Sequence, residues 1–263
     1  MSLVSGMTPG RRLFSPEGEA ALAATMARRP LLAFDFDGTL APIVARPEDA
    51  RVPPALATRL QRLSAQLLVA VISGRRAHDL RHRLGFSPWR VVGNHGAEDE
   101  AAGVAQHVVQ ALDDARARLA ARADALREAG VSIEDKHASI AVHYRLARDR
   151  QQAARVIAEA LDGLSPALRV FGGKLVTNIA SVQAHDKAHA LADLVELAGV
   201  EAAVFVGDDV NDEPVFARAE PAWLTVRVGR DDPSSQARYL LDSLADLPGL
   251  LDRMLAALPP SPP

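Results

Sequence analysis

The sequence predicts an α/β fold in which a parallel-sheet core domain is interrupted by a smaller α+β domain. Short apolar, β-branched segments alternate with helical patterns near both ends of the chain. This alternation stops between residues 104 and 179, where helices and short strands follow a different order. A chain of 263 residues is long enough for one large domain or two smaller ones.

The first part of the chain has the pattern strand, helix, strand, helix, strand. Leu56, Leu60 and Leu63 recur at helical spacing, and a second helix ends at Gly85. Strands that are separated by helices predict a parallel sheet. The three strands are predicted at LLAFDF (31–36), LLVAVIS (67–73) and RVVGNHGAE (90–98), the last continuing into a loop.

The same alternation returns near the other end of the chain. Leu191, Leu194, Val195 and Ala198 form one face of a helix that ends at Gly199. Two further strands are predicted at AAVFVGDD (202–209) and AWLTVRV (222–228). The core domain is therefore predicted to comprise residues 30–103 and 180–257, with 1–29 as an N-terminal segment and 258–263 as a proline-rich tail.

Residues 104–179 are predicted to form the inserted domain. A long helix is expected from about 105 to 129, because Leu112, Leu119 and Leu126 recur at heptad spacing. Very short connections within the segment predict hairpins and an antiparallel sheet. The strands are expected at VSIEDK (131–136), ASIAVHYR (138–145), ALRVF (167–171) and KLVTNI (174–179), with a helix near 149–162.

Composition excludes several classes of protein. A formal net charge of −3, with both signs mixed along the chain, is not typical of a nucleic-acid binder. The chain has no cysteine, so metal sites must use oxygen and nitrogen ligands. The first 30 residues lack the apolar core of a signal peptide, and no run of about 18 apolar residues occurs. We therefore expect a cytoplasmic protein without a membrane partner; the oligomeric state stays open.

Carboxylates follow two of the predicted strands. Asp35 and Asp37 come after the first strand, and Asp208, Asp209 and Asp212 follow VFVG. Ligands of parallel sheets bind beyond the carboxyl ends of the strands. Neighbouring carboxylates repel one another and need a cation or a shared proton. An isolated DxD is usually a solvated turn. If the two strands lie near each other, however, the DxD and the GDDxxD motifs converge and predict a divalent metal site, with Mg²⁺ favoured if the substrate is a phosphate.

Two weaker motifs agree with a phosphate site. Ser73 and Gly74 end another strand with a hydroxyl group and a backbone turn, which suit a phosphate oxygen. Lys187 begins a helix after QAHD and supplies a positive charge. Each motif alone is more often a plain turn or a solvated lysine. In the order DxDGT, SG, K and GDDxxD, they favour phosphate chemistry.

This ordered set resembles the haloacid dehalogenase superfamily of phosphotransferases. The resemblance implies a Rossmann-like core and a mobile α/β cap domain, here residues 104–179, whose closure would exclude water and contact the leaving group. It also implies that Asp35 attacks phosphorus and becomes an aspartyl phosphate. Asp37 would protonate the leaving oxygen and later activate water.

The resemblance also implies the ligands of the metal and the phosphate. Ser73 and Lys187 would hold the transferring phosphoryl group, because phosphoryl transfer depends on positioning and on charge stabilisation. The expected cofactor is Mg²⁺. Its implied ligands are Asp35, the backbone carbonyl of Asp37 and Asp208, supported from behind by Asp209 or Asp212.

Several segments resemble one family within this superfamily, the trehalose-6-phosphate phosphatases. They are ISGRRAHDL, GNHGAE, EDKHASIAVHYR, GGKLVTNI and DKAHAL. The sugar or phosphate contacts that the resemblance implies are Arg75, Asn94, His95, Lys136, Arg145, Lys174 and Asn178. The chain departs from the family where Asn178 replaces a usual glutamate, Ala180 replaces a common arginine and Asn211 replaces a usual threonine.

Three functions are compatible with these residues. The first is a Mg²⁺-dependent phosphatase that converts trehalose 6-phosphate into trehalose and inorganic phosphate. The second is a phosphatase of the same fold for another sugar phosphate, such as sucrose, glucosylglycerol or mannosylglycerate phosphate, which Asn178 favours. The third is a non-catalytic domain that binds a sugar phosphate; the intact acidic motifs disfavour it.

Overall fold

The computed structural model describes residues 12–258, except residues 102, 174 and 231. The chain divides into two compact units: Met1–Gly96 with Asp186–Pro263, here the larger unit, and Ala97–His185, here the smaller unit. The predicted tail lies outside the described residues after residue 258. The domain limits of 104 and 179 that the sequence suggests stay a proposal.

The helices and strands follow the alternation predicted from the sequence. The strands are β1 Leu31–Phe34, β2 Val69–Ile72, β3 Arg90–Gly93, β4 Glu98–Asp99, β5 Ser132–Asp135, β6 Ser139–His143, β7 Leu168–Gly173, β8 Val176–Ser181, β9 Ala203–Gly207, β10 Leu224–Val228 and β11 Tyr239–Leu241. The α-helices are α1 Pro16–Ala27, α2 Pro54–Ser64, α3 Ala77–Leu84, α4 Gln106–Ala111, α5 Asp113–Ala121, α6 Ala123–Glu128, α7 Arg150–Ala160, α8 Lys187–Ala198, α9 Glu213–Ala217 and α10 Leu247–Ala256. Within the described ranges, no helix has the length and apolarity needed to cross a bilayer.

The sheet of the larger unit confirms the predicted parallel core. Its strands lie in the order β11-β10-β9-β1-β2-β3, and every neighbouring pair among them is parallel. The central strand β1 pairs with β9 in a register that places Phe34 opposite Val206. Because the strands are parallel, the residues that follow β1 and β9 emerge side by side at one edge of the sheet.

Both faces of this sheet are covered by helices. Leu32 and Phe34 of β1 pack in a cluster with residues of α1, α2, α3 and α10, whereas Leu31 and Ala33 pack in a second cluster with α8 and α9. Alternate residues of a strand point to opposite faces, so a strand that is buried on both faces is apolar throughout. The sequence did not predict that α1 contributes to the core, where Leu22 is buried.

The smaller unit contains an antiparallel sheet, as predicted. Its strands lie in the order β5-β6-β8-β7, and each neighbouring pair is antiparallel. Ile140 and Val142 of β6 point into a hydrophobic cluster with residues of α5, α6 and α7. Tyr144 packs against the same cluster, so Ile140, Val142 and Tyr144 share the apolar face of this strand.

The single helix predicted over about 105–129 is wrong, because three helices occupy this range. They are separated at Leu112 and Arg122, whose backbone N–H groups donate to residues three positions earlier, Val109 and Leu119. A straight helix drifts by roughly 20° per heptad. Leu112, Leu119 and Leu126 are nevertheless all buried in one core.

Candidate active site

Two acidic strand ends meet at the carboxyl edge of the sheet. The backbone N–H of Asp35 donates to the carbonyl of Val206 at 2.9 Å, which continues the pairing of β1 and β9. Carboxylate oxygens of Asp35, Asp208 and Asp212 lie within 4.8 Å of one another, and all three side chains are buried. The structure therefore brings together two of the predicted metal ligands and one of the predicted supporting residues.

Lys187 enters this cluster from the first turn of α8. Its Nζ donates to Oδ1 of Asp35 at 2.8 Å and to Oδ1 of Asp212 at 2.6 Å. The helix begins there because Asp186 is its N-cap, accepting from the backbone N–H of His189 at 3.0 Å. The local sequence thus fixes both the helix start and the position of the ammonium group.

Among its own four side chains, Asp35, Asp208, Asp212 and Lys187, the cluster has more acidic than basic groups. Burial raises the pKa of Asp35 well above its usual value, and repulsion from Asp212 and Asp208 adds to this, while Lys187 only partly opposes it. Burial lowers the pKa of Lys187, but Asp212 and Asp35 outweigh burial and hold it above its usual value. Three carboxylates and one ammonium group leave two negative charges, which suit a divalent cation with oxygen ligands.

The turn after β9 shows how Asp212 supports the site. Its Oδ2 accepts from the backbone N–H groups of Asp208 and Asp209 at 2.9 and 3.0 Å, while its Oδ1 accepts from Lys187. The carboxylate of Asp209 accepts from the N–H of Val210 at 2.8 Å. Asp212 therefore stabilises the turn and fixes the position of Lys187. Because both of its carboxylate oxygens already accept hydrogen bonds from the protein, Asp35 and Asp208 are better placed to bind a cation.

Gly38 and Thr39 pack directly against Asp208. Gly38 has a φ of 88°, and a Cβ at this position would overlap the Asp208 carboxylate. The Oγ1 of Thr39 donates to Oδ1 of Asp208 at 3.4 Å. The DxDGT motif thus needs glycine both for its backbone conformation and for the close approach of a carboxylate from the neighbouring strand end.

We expect Gly38→Ala to displace Asp208 and lower any turnover at this site by about 10²-fold, because small misplacements of catalytic groups are costly. The matched control is Gly199→Ala, since Gly199 has a φ of 64° with open space around the new Cβ. That control also places an alanine at a positive φ and should retain activity. Equal activity losses in the two variants would contradict the role of Gly38.

Asp37 lies two residues beyond Asp35 and is paired with Arg75. The Nε and Nη2 of Arg75 donate to the two carboxylate oxygens of Asp37, each at 2.7 Å. Burial by itself lowers the pKa of Arg75, but Asp37 and Asp79 outweigh burial and raise it, so the guanidinium stays charged. The side chain of Asp37 is 41% exposed, which leaves it accessible from solvent.

Ser73, Asn94 and His95 lie together at the ends of β2 and β3. Ser73 is buried, and its carbonyl accepts from the backbone N–H of His95 at 2.9 Å. Asn94 and His95 have φ values of 50° and 58°, which are uncommon for residues with a side chain. A Cβ on Gly74 would overlap the His95 ring, so glycine allows this ring to pack beside Ser73.

The remaining predicted contacts belong to the smaller unit. Lys136 and Asn178 are buried, and Arg145 is partly exposed. Asn178 lies on β8 opposite Ala141. Lys174 is outside the described residues.

A profile of the trehalose-phosphatase family matches residues 33–243. The chain belongs to the trehalose-phosphatase family. The matched range includes both acidic strand ends, Ser73 and Lys187, and it confirms the resemblance seen in the sequence. Membership of this family supports a phosphatase enzyme.

Curated relatives agree with this membership. A trehalose-phosphate phosphatase of Mycobacterium tuberculosis is 32% identical over 280 residues, covering 100% of this chain and 71% of that protein. An uncharacterized glycosyl hydrolase of the same species is 37% identical over 201 residues, covering 72% of this chain. The match spans 15% of the length of that glycosyl hydrolase.

Solved structures show the same fold. The C-terminal domain of a Candida albicans trehalose-6-phosphate phosphatase has a TM-score of 0.76 at 22% identity, covering 92% of this chain and 97% of that chain. A phosphatase of the haloalkanoate enzyme superfamily from Bacteroides thetaiotaomicron has a TM-score of 0.58 at 17% identity, covering 87% of this chain and 94% of that chain. At these identities the likeness concerns the fold alone.

The sequence analysis did not identify two residues that contribute to the site in this member of the trehalose-phosphatase family. Thr39 contacts Asp208 across neighbouring strand ends, and no local pattern indicates that contact. Asp79 accepts from Arg75 and Arg83, at 3.2 and 2.8 Å. The spacing of four residues on each side of Asp79 is typical of helical ion pairs and is a signal that could have found it.

Proposed function

We propose that this chain is a Mg²⁺-dependent phosphatase that hydrolyses trehalose 6-phosphate to trehalose and inorganic phosphate. The observation that carries the proposal is the convergence of Asp35, Asp208 and Asp212 with Lys187, in a chain of the trehalose-phosphatase family. A cytoplasmic location is part of the same proposal.

The metal requirement is argued from the donor set. Buried carboxylate oxygens are the ligands that hard divalent cations prefer, and the cluster has an excess of negative charge. The ligands would be Asp35, Asp208 and the backbone carbonyl of Asp37. The bound Mg²⁺ would draw charge from the phosphoryl oxygens.

The chain's own residues then perform two successive displacements. In the first, a carboxylate oxygen of Asp35 forms a bond to phosphorus while the bond between phosphorus and the sugar oxygen breaks, and the sugar oxygen takes a proton from Asp37, which enters this step in its protonated form. In the second, Asp37 takes a proton from water, whose oxygen attacks phosphorus and releases inorganic phosphate from Asp35. Lys187 and Ser73 hold the phosphoryl oxygens through both steps.

Polar residues outside the acidic cluster are proposed to contact the sugar. Amide, imidazole, ammonium and guanidinium groups donate hydrogen bonds to hydroxyl groups. The proposed sugar or phosphate contacts are Asn94, His95, Lys136, Arg145, Lys174 and Asn178.

Phosphate release from a panel of substrates tests the proposed function. The panel contains trehalose 6-phosphate, glucose 6-phosphate, sucrose 6-phosphate, mannosylglycerate phosphate and p-nitrophenyl phosphate, each with Mg²⁺ or with a chelator. We expect trehalose 6-phosphate to have the highest kcat/KM, and turnover to be lost in the chelator. Equal rates on trehalose 6-phosphate and glucose 6-phosphate would contradict the proposed substrate.

Asn178 favours a second candidate, a phosphatase for a different sugar phosphate. It is buried and neutral, so it offers the sugar no charge-assisted hydrogen bond, and such bonds are about twice as strong as neutral ones. Faster release from another member of the panel would support this candidate. Binding of trehalose 6-phosphate without turnover, in the presence of Mg²⁺, would instead support a non-catalytic domain.

We expect Lys136→Ala and Arg145→Ala to lower kcat/KM for the sugar phosphate by roughly 10-fold or more each, because each removes a charged hydrogen-bond donor. The same variants should have a much smaller effect on p-nitrophenyl phosphate, which has no sugar. Arg148→Ala is the matched control, since Arg148 is exposed and lies outside the family-like segments. Similar losses on both substrates would mean that neither residue contacts the sugar.

A further inference from the structure

The guanidinium group of Arg75 is bound to the protein's own carboxylates. Its Nε and Nη2 form two parallel hydrogen bonds to Asp37, at 2.7 Å each. Its Nη1 donates to Oδ2 of Asp79 at 3.2 Å, and its Nη2 donates to the carbonyl of Pro47 at 2.9 Å. The side chain is only 11% exposed.

These bonds occupy most of the donors that Arg75 has. An arginine side chain carries five N–H groups, and the contacts to Asp37, Asp79 and Pro47 use four of them. At most one N–H group is left for a ligand. The resemblance to the trehalose-6-phosphate phosphatases implies a sugar or phosphate contact for Arg75, but two of its donors point to Asp37 and two more to Asp79 and Pro47.

Further contacts around Asp79 and Phe36 hold the Arg75 side chain in position. Asp79 accepts from Nε of Arg83 at 2.8 Å, and Arg83 also donates to the carbonyl of Ala50 at 3.3 Å. The guanidinium carbon of Arg75 lies 5.2 Å from the centre of the Phe36 ring, which is buried. Arg75 is therefore held on three sides while it binds Asp37.

We propose that Arg75 is a positioning residue that holds the carboxylate of Asp37 in the orientation needed to reach the leaving oxygen. A bidentate pair fixes both the position and the plane of a carboxylate. Asp37 is exposed to solvent on its other side and would otherwise sample several rotamers. This inference rests on the proposed function, in which Asp37 protonates the leaving group.

Aryl phosphates without a sugar test this role. p-Nitrophenolate leaves readily without a proton, whereas phenolate needs one, so the loss of a general acid affects phenyl phosphate more. We expect Arg75→Ala to lower kcat/KM for phenyl phosphate by about 10²-fold and for p-nitrophenyl phosphate by less than about 3-fold. Equal losses on the two substrates would overturn the proposal, because a contact to the phosphate predicts that result.

A second variant covers the case in which Arg75→Ala does not fold. Asp79→Asn weakens the hold on Arg75 but keeps both Arg75 and Asp37, so we expect a smaller loss that is again confined to phenyl phosphate. Arg75→Lys should not restore the rate, because an ammonium group cannot form the bidentate pair. Full activity of Arg75→Lys would overturn the proposal. Arg59→Ala is the matched control, since Arg59 forms a surface pair with Asp252 on α10.

A double-mutant cycle with Asp37→Asn separates this inference from the proposed function. If Arg75 acts through Asp37, then adding Arg75→Ala to Asp37→Asn should change kcat/KM for phenyl phosphate by less than about 2-fold. Independent, multiplying losses would overturn the role of Arg75 alone. If Asp37→Asn lowers kcat/KM, which reports the first displacement, equally for both aryl phosphates, the assignment of Asp37 fails, and the inference about Arg75 fails with it.

Discussion

Replacing Asp35 with asparagine should lower turnover by about 10⁴-fold or more, because the side chain loses the oxygen nucleophile that accepts the phosphoryl group. The asparagine is nearly isosteric, and its oxygen can still accept from Nζ of Lys187, as Oδ1 of Asp35 does at 2.8 Å. The fold should therefore be retained. Phosphate release, together with a circular-dichroism melting curve, measures both effects.

The stability of the same variant has a predictable pH dependence. Burial raises the pKa of Asp35 above its unfolded value of about 3.9, so ionisation of Asp35 destabilises the folded protein when no metal is bound. The folded wild type is therefore more stable with Asp35 protonated, and it should lose this stability as the pH rises from about 4 towards the pKa of Asp35 in the folded state. Asp35→Asn should show no such loss. In a chelator, the variant's advantage in Tm should therefore increase with pH. A constant difference across pH, or full activity of the variant, would contradict the assignment.

Lys187→Met should have the largest effect on stability. Lys187 is 1% exposed and bonds two buried carboxylates, at 2.8 and 2.6 Å. Removal of one partner from a buried ion pair leaves an uncompensated charge and costs about 3–5 kcal/mol. Turnover should also fall by roughly 10²- to 10³-fold, because the phosphoryl oxygens lose a fixed positive charge. Urea denaturation and phosphate release measure the two losses.

Two comparisons show whether charge or packing causes the loss of stability in Lys187→Met. Arg28→Ala removes an exposed pair with Glu201 and should change the free energy of unfolding by about 1 kcal/mol or less. Adding Asp212→Asn to Lys187→Met removes one of the uncompensated charges, so part of the lost stability should return, while activity should not. A double variant that is no more stable than Lys187→Met would mean that packing, not charge, explains the loss.

The fold and the acidic cluster could be predicted because local sequence determines them. An apolar strand that ends in carboxylates places these groups at the carboxyl edge of a parallel sheet, and β1 and β9 are neighbours there. Parallel pairing then brings Asp35 and Asp208 together, since each is the first residue after its strand and Phe34 pairs with Val206. The sequence thus predicted both acidic strand ends, whereas the structure supplies the fact that β1 and β9 are neighbours.

The remaining contacts depend on side chains that meet only after folding. Nothing in the sequence around Arg75 indicates that its guanidinium group binds Asp37, because 38 residues separate them along the chain. The sequence also does not predict the left-handed backbone of Asn94 and His95, since neither residue type requires that conformation. The breaks at Leu112 and Arg122 occur without proline or glycine, so the heptad pattern alone predicted one helix.

Detection of a phosphorylated Asp35 tests the central claim most directly. Asp37→Asn should still react with p-nitrophenyl phosphate, whose leaving group needs little protonation, but should lose the base that activates water. With Mg²⁺ present, we expect a burst of nitrophenol equal to the amount of enzyme, and peptide mass spectrometry of the acid-quenched protein should locate the phosphoryl group on Asp35. A phosphoryl group on another residue, or the absence of both the burst and the adduct, would contradict the account.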